Sequence, residues 1–479
     1  MSSHRNSFAP ARLLPATSGG TPVIRAGTHV AAATPGLPLP APRHPLGYHP
    51  PSLTSAHALR CSSSLAARMQ ILSRMLALAL LALVLAIFAA RTAIPAAQRL
   101  THGFLAYYVA GQALRDGEPG KRLYDDEWFA ARVMEVSHGT VTDININPPP
   151  LAVAWVPFAY LSAEDSLRLW IALNVLCLAL SLWLIAVELG WSRRLWAIVA
   201  VTTLLTLAAP TREQIALGQM YACILLLYVI GWRAYVHRSD ALAGIAVGLA
   251  IALKTQGWPI GLLMLAQRRW SAAWWVIATA AVAGLATLPW VGLDAWRAFL
   301  FEAIPSTTTP WATLTAYQDT LGFWQHLFRY DAQRNPNPLF DAPALAAVLT
   351  LSTTIGACVA LIVGKRTASV GFAAAVVLTE VLSPVAEQYH YVVMLLPLGV
   401  LWHAAWRSNN AALGCCALVA TLLLACPIDY KSAHPAWAIL HNYPRLLGGW
   451  LAFAALLYAD RAGDAMQRNA GTVTQVPAS

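Results

Sequence analysis

Apolar runs near membrane-spanning length recur along this chain from Met75 almost to the C-terminus, and they leave few folds open. A helix needs about 20 apolar residues to cross the hydrocarbon, and inside lipid only helices and closed barrels satisfy their own backbone hydrogen bonds. A helix in a large soluble core would carry a polar face, and segments such as LNVLCLALSLWLIAVEL (173–189) show none. With 58% apolar and 11% charged residues and a mean hydropathy of +0.54, the expected fold is an all-α, polytopic membrane helical bundle.

A formal charge of +10 would suggest nucleic acid in a soluble domain, but many of these Lys and Arg residues stand in short loops between spans. Topology explains them, and no nucleic-acid partner is expected. The seven cysteines lie mostly within apolar runs, show no CxxC spacing and are odd in number, so neither a disulfide framework nor a metal site is indicated. Residues 1–68 are rich in Pro, Ser, Ala, Arg and His without apolar periodicity; they are expected to be disordered, and the true start can lie as late as Met69 or Met75. Residues 69–463 form the membrane domain, and 464–479 a disordered cytoplasmic tail.

The basic loops GWSRR (190–194), WRAYVHR (232–238), QRRW (267–270), GKR (364–366) and WRSNN (406–410) are placed on the cytoplasmic side. This works only if PPPLAVAWVPFAYLS (148–162), short and led by three prolines, lies at the interface instead of crossing. Spans are then expected near 75–93, 166–189, 194–210, 215–232, 240–253, 256–266, 271–293, 341–363, 368–383, 388–405, 410–427 and 444–460, about twelve in all, with both termini cytoplasmic. The long loop 94–165, PTREQIALGQ (210–219), loop 294–340, SPVAEQYH (383–390) and loop 428–443 fall outside, so polar chemistry concentrates on the extracytoplasmic face.

Lys254 is the charge that stands out in GLAIALKTQGWPIGLLML (248–265). The topology puts it at the outer end of a span, where it either snorkels to water or clamps an anion, most simply a phosphate.

The ordered blocks FLAYYVAGQALRDGEPGKRLYDDEWF, NPPPLAVAWVPFAYLSAEDSLRLWIALN, ALGQMYACILLL, GLAIALKTQGWPIGLLML, YQDTLGF and SPVAEQYHYVVMLLP make the chain resemble the membrane glycosyltransferases of family 87. The resemblance implies a GT-C architecture with interfacial helices in the first extracytoplasmic loop. It implies transfer of a sugar, mannose or arabinofuranose in assigned members, from a polyprenyl-phosphate donor to a glycolipid or glycan acceptor outside a bacterial inner membrane. Such a transfer asks for one carboxylate as base and for cationic or amide groups on the departing phosphate; neither task requires a metal, and no cofactor is expected.

Many relatives carry an acidic residue just before the aromatic that opens the first block, and Gly103 stands there in this chain. Either another carboxylate of the loop or His102 serves as base, or transfer has been lost. The Asp125/Asp126 pair is the favoured choice and Asp143 the next, although a helix cap or an Asx turn is the ordinary role of each. Gln219 and His390 stand near the outer ends of spans and join Lys254 as candidates for the donor phosphate; inter-helix hydrogen bonds are their ordinary role. Asn147, Tyr107 and Gln318 are substrate-binding candidates from their places in the blocks. Trp128, Trp258 and Trp311 lie on the side where an aromatic face can stack on a sugar or simply mark the interface. Two other classes remain: a secondary transporter, hinted at by Glu380 within a span, and a non-catalytic protein of envelope-glycan assembly.

Overall fold

The computed structural model describes residues 53–473 except 192–194, 309–312, 365 and 428–435. The helices and site described belong to the unit 66–479, save for the start of α1. The described residues form helices joined by turns and loops, with no strand beyond an isolated bridge between Asp331 and Asn335.

In the first half, α1 spans Leu53–Phe88, α2 His102–Arg115, α3 Asp126–Val136, α4 Pro149–Trp155, α5 Ala163–Glu188, α6 Leu195–Leu207, α7 Ala209–Ala216 and α8 Tyr221–Val236. In the second half, α9 spans Asp240–Lys254, α10 Trp258–Ala266, α11 Trp270–Ala286, α12 Leu288–Ala298, α13 Thr320–Phe328, α14 Pro343–Ile362, α15 Ala368–Val381, α16 Leu395–Ser408, α17 Ala411–Ala425 and α18 Pro444–Val473.

Among the described residues three helical stretches are long and apolar enough to cross a membrane by length and composition: Arg68–Ala96, Ala163–Glu188 and Pro343–Ile362. Shorter apolar helices run over Tyr221–Val236, Ala368–Val381 and Ala411–Ala425. Helix therefore occupies each expected span, but several are cut shorter than the hydropathy pattern suggests. The span expected at 271–293 ends at Ala286 and bends by 104° into the next helix. Pro289 lacks the N–H that continuation needs, and Gly292 sits at φ +70°. The span expected at 215–232 begins at Tyr221, because Gly218 (φ +62°) turns the chain and sets Gln219 in that turn. The segment 388–394 is a 3-10 turn ahead of α16.

Helix α1 begins at Leu53 and α18 continues to Val473. Residues 1–52 and 474–479, and Trp311, lie outside the described residues.

Small residues let the bundle close. Helix α9 lies against α11 through Gly244 and Gly248, where a Cβ would fall 2.4 Å from the Ala272 carbonyl oxygen and 2.7 Å from that of Val276. This close approach of backbones is what drives helix association where lipid offers no hydrophobic gain. On the expected cytoplasmic side, Arg269 pairs with Asp240 and stacks 3.9 Å from the Tyr235 ring centroid. The segment expected at the interface carries a short helix: α4 starts with Pro149 in its first turn, and Leu151, Ala152 and Trp155 are buried, with Trp155 against Tyr107 of α2 and Trp170 of α5.

Candidate active site

Lys254 is the last residue of α9, and the turn that follows is enforced by its backbone. Thr255 takes a left-handed conformation at φ +55° and Gly257 sits at φ +108°, so the helix stops and α10 restarts with Pro259 in its first turn. The ammonium does not simply snorkel: Nζ donates to Asn147 Oδ1 at 2.8 Å. It also lies 4.8 Å from the Tyr107 ring centroid and 5.3 Å from that of Tyr221. Two ring faces and an amide oxygen thus hold a half-buried cation.

Asn147 is itself fixed. Its backbone N–H and its side-chain Nδ2 both donate to Asn145 Oδ1 at 3.1 Å, and its carbonyl accepts from Tyr124 Oη at 2.8 Å. Pro148 follows in an extended conformation and α4 begins, so the NPPP run aims one polar side chain at Lys254.

Asp143 closes the same loop, half-buried, with Oδ1 accepting from the Ile144 N–H at 2.9 Å. Burial pushes its carboxyl up to about 7; the Ile144 N–H pulls down, Glu387 pushes up and Lys254 pulls down. A carboxylate with this value is suited to take a proton near neutral pH.

Tyr107 Oη donates to Gln219 Oε1, and burial keeps that phenol protonated by raising it well above its ordinary value. The turn carrying Gln219 is pinned by neighbours: Trp170 Nε1 donates to the Gly218 carbonyl at 2.7 Å, Thr101 Oγ1 to that of Leu217 at 2.7 Å, and the Tyr221 N–H to Gln214 Oε1 at 3.1 Å. His390 completes the cluster, its ring centroid 4.1 Å from Tyr221 and 4.4 Å from Tyr389. Its Nδ1 accepts from the Glu387 N–H at 3.0 Å, which leaves Nε2 to carry the proton of the neutral ring.

Six of the sequence candidates therefore gather: Asp143, Asn147, Lys254, Tyr107, Gln219 and His390. Four stand apart. Asp125 is the N-cap of α3 and accepts from the Trp128 N–H at 3.1 Å, while Asp126 is exposed in that helix's first turn. Asp125 thus makes the helix-cap bond weighed for it in the sequence. His102 is exposed at the first position of α2. Gln318 does not reach the cluster as a ligand; its Nε2 donates to the carbonyls of Thr315 and Asn442 at 2.7 Å each and its Oε1 accepts from the Arg445 N–H at 3.1 Å.

Gln318 and its neighbour instead hold the loop that carries Glu387 and His390. The Gln318 N–H donates to the Ala386 carbonyl at 2.7 Å, and Asp319, buried at the N-cap of α13, accepts from Gly322 at 2.7 Å and Ala386 at 3.3 Å. Burial pushes the Asp319 carboxyl up to about 7. Asp319, Tyr221, Glu387 and Tyr389 are not singled out by the sequence, although each lies within three positions of a residue that is. Glu380, the ionisable residue behind the transporter reading, is buried in α15 with both carboxyl oxygens lacking a hydrogen-bond partner.

At Gly103, a Cβ would fall 2.6 Å from Gln219 Nε2 and 2.7 Å from the Leu217 carbonyl oxygen. The space beside Gly103 is filled by Gln219. Among the described residues, no three His, Cys, Asp or Glu side chains converge as metal ligands.

The sequence profile described as glycosyltransferase family 87 matches residues 145–387. The chain is 28% identical over 334 residues, 65% of its own length and 75% of the relative's, to a polyprenol-phosphate-mannose-dependent alpha-(1-2)-phosphatidylinositol mannoside mannosyltransferase of Mycobacterium tuberculosis. It is 27% identical over 384 residues to the protein of the same description from Mycolicibacterium smegmatis, covering 73% of this chain and 81% of that one. It is 24% identical over 161 residues to an alpha-(1->3)-arabinofuranosyltransferase of Corynebacterium glutamicum, covering 30% and 38%. No solved structure matches.

Proposed function

We propose, from the premise that the chain belongs to glycosyltransferase family 87, that it transfers mannose from a polyprenyl-phosphate donor to a glycolipid or glycan acceptor on the outer face of a bacterial inner membrane. The relatives' dependence on polyprenol-phosphate-mannose supports the donor class. The basic loops support a topology of about twelve passes with both termini cytoplasmic.

The observation that carries the reading is the juxtaposition of Lys254, held 2.8 Å from Asn147, with the Asp143 carboxyl at about 7. In the proposed step the acceptor hydroxyl oxygen attacks the anomeric carbon and its proton passes to Asp143. The bond between that carbon and the phosphate oxygen breaks, and polyprenyl phosphate leaves with the electron pair. Lys254 meets the departing phosphate as a point charge, while the Asn147 amide holds the lysine in place. The His390 Nε2 proton and the Gln219 amide are further donors within the cluster. Asp143 takes the part that the missing side chain at Gly103 would otherwise have offered.

Asp143→Asn is expected to lower transfer by about 10²–10⁴-fold, the usual worth of a general base. Asp125→Asn, whose amide oxygen still accepts from the Trp128 N–H and caps α3, is expected to keep the rate. Full transfer by a folded Asp143→Asn variant would sink the assignment.

A further inference from the structure

Trp128 and the polar groove beside it have no part in the chemistry above. The end of α2 and the outer face of α3 enclose a cavity of about 260 Å³, lined by Asp116, Glu118, Trp128, Arg132 and Glu135 together with two alanines. Arg132 bridges Glu135 at 2.6 Å and Asp116 at 3.6 Å, and Arg122 pairs with Glu118 at 2.8 Å while its guanidinium covers Trp128, 5.5 Å from the ring centroid. These pairs fix the walls in one arrangement without using all of the carboxylates' lone pairs.

The lining selects its ligand by chemistry. Each of the three carboxylates is paired with arginine, Asp116 with Arg115 and Arg132, Glu118 with Arg122 and Glu135 with Arg132, so the groove carries no net charge to draw a phosphate or another ion. The same groups accept from and donate to vicinal hydroxyls, and the part of the Trp128 indole that Arg122 leaves uncovered offers an apolar plate to the C–H face of a sugar ring. A ligand that is uncharged, rich in hydroxyls and apolar on one face is a neutral sugar. The groove also belongs to the same helix as the cluster: Ala113 follows Tyr107 by six residues, about 9 Å along α2 at the usual rise. That is a distance a short oligosaccharide covers.

We propose that this groove is an acceptor subsite, which holds a neutral sugar of the acceptor glycan at a remove from the reacting hydroxyl. The proposal rests on the transferase reading above. A purely structural role for the same ion pairs, as a brace between α2 and α3, would leave sugar binding indifferent to the indole.

The test is saturation-transfer NMR on the full-length protein in nanodiscs with methyl α-mannobioside, mannose 6-phosphate and spermine as probes, beside steady-state transfer. Mannobioside is expected to bind, to weaken about tenfold in Trp128→Ala, and to be largely retained in Trp128→Phe, which keeps an aromatic plate. The acceptor KM is expected to rise about tenfold in Trp128→Ala while the donor KM stays unchanged, a split that loss of folding would not produce. Unaltered mannobioside binding in Trp128→Ala, or tighter binding of mannose 6-phosphate or of spermine than of mannobioside, would overturn the subsite. If wild type transfers sugar and Trp128→Ala leaves the acceptor KM unchanged, the subsite fails and the transferase reading survives. If Trp128-dependent mannobioside binding appears without turnover of any polyprenyl-phosphate sugar, the transferase reading fails and the sugar site stands.

Discussion

Lys254 shows how much one residue can disclose and where the disclosure stops. A lysine at the end of an apolar run is visible in the sequence, and so is the turn after it. Its partner Asn147 is not, because 107 residues separate the two and only the packing of α4 near α9 joins them. The carboxylates fail in the opposite way: Asp125, Asp126 and Asp143 look alike in sequence, and burial separates them. Two predictions belong at this scale. Because the base form of Asp143 is the carboxylate and its carboxyl titrates at about 7, transfer should fall as pH drops through 7, by about tenfold per unit below it. A rate that stays flat from pH 7 to pH 5 would contradict that role. Lys254→Met should raise the donor KM about 10–100-fold, the worth of a charge-assisted phosphate contact, with Lys254→Arg intermediate. An unchanged donor KM would return the lysine to snorkelling.

Helix type was legible from hydropathy almost everywhere; helix length was not. Apolar residues continue through 287–293 and 215–220, yet Pro289 with Gly292, and Gly218 with Gln219, end helices that composition alone would extend. The second of these breaks brings Gln219 to the Tyr107 hydroxyl. The contact of α9 with α11 is set by Gly244 and Gly248, and α9 in turn presents Lys254. Gly244→Val should therefore drive a side chain into the Ala272 carbonyl and cost about 1–3 kcal/mol, read as a lower thermal midpoint in detergent. Gly356→Ala on α14, with nothing within 4 Å of the added carbon, serves as the control that does not lose stability. Equal midpoints for the two variants would mean that the contact contributes nothing.

For the whole molecule, the proposed topology puts the positive loops on the cytoplasmic face and the polar cluster on the outer face. In a background without native cysteines, Thr140→Cys is expected to react with a membrane-impermeant maleimide on intact cells, and Arg407→Cys only after lysis. The reverse pattern would invert the topology and place the cluster in the cytoplasm. The architecture as a helical membrane bundle followed from the sequence because lipid restricts a chain to few solutions. The position of the site did not, because three separate loops and the end of α9 converge to make it, and their convergence is a property of packing.

The most direct measurement is transfer of labelled mannose from polyprenyl-phosphate-mannose by membranes containing this protein, with Asp143→Asn membranes in parallel. Release of polyprenyl phosphate matched by label in a lipid or glycan acceptor, and lost in the variant, is the predicted result. Absence of both release and transfer in membranes shown to hold folded protein, with the arabinose donor as well as the mannose donor, would contradict it.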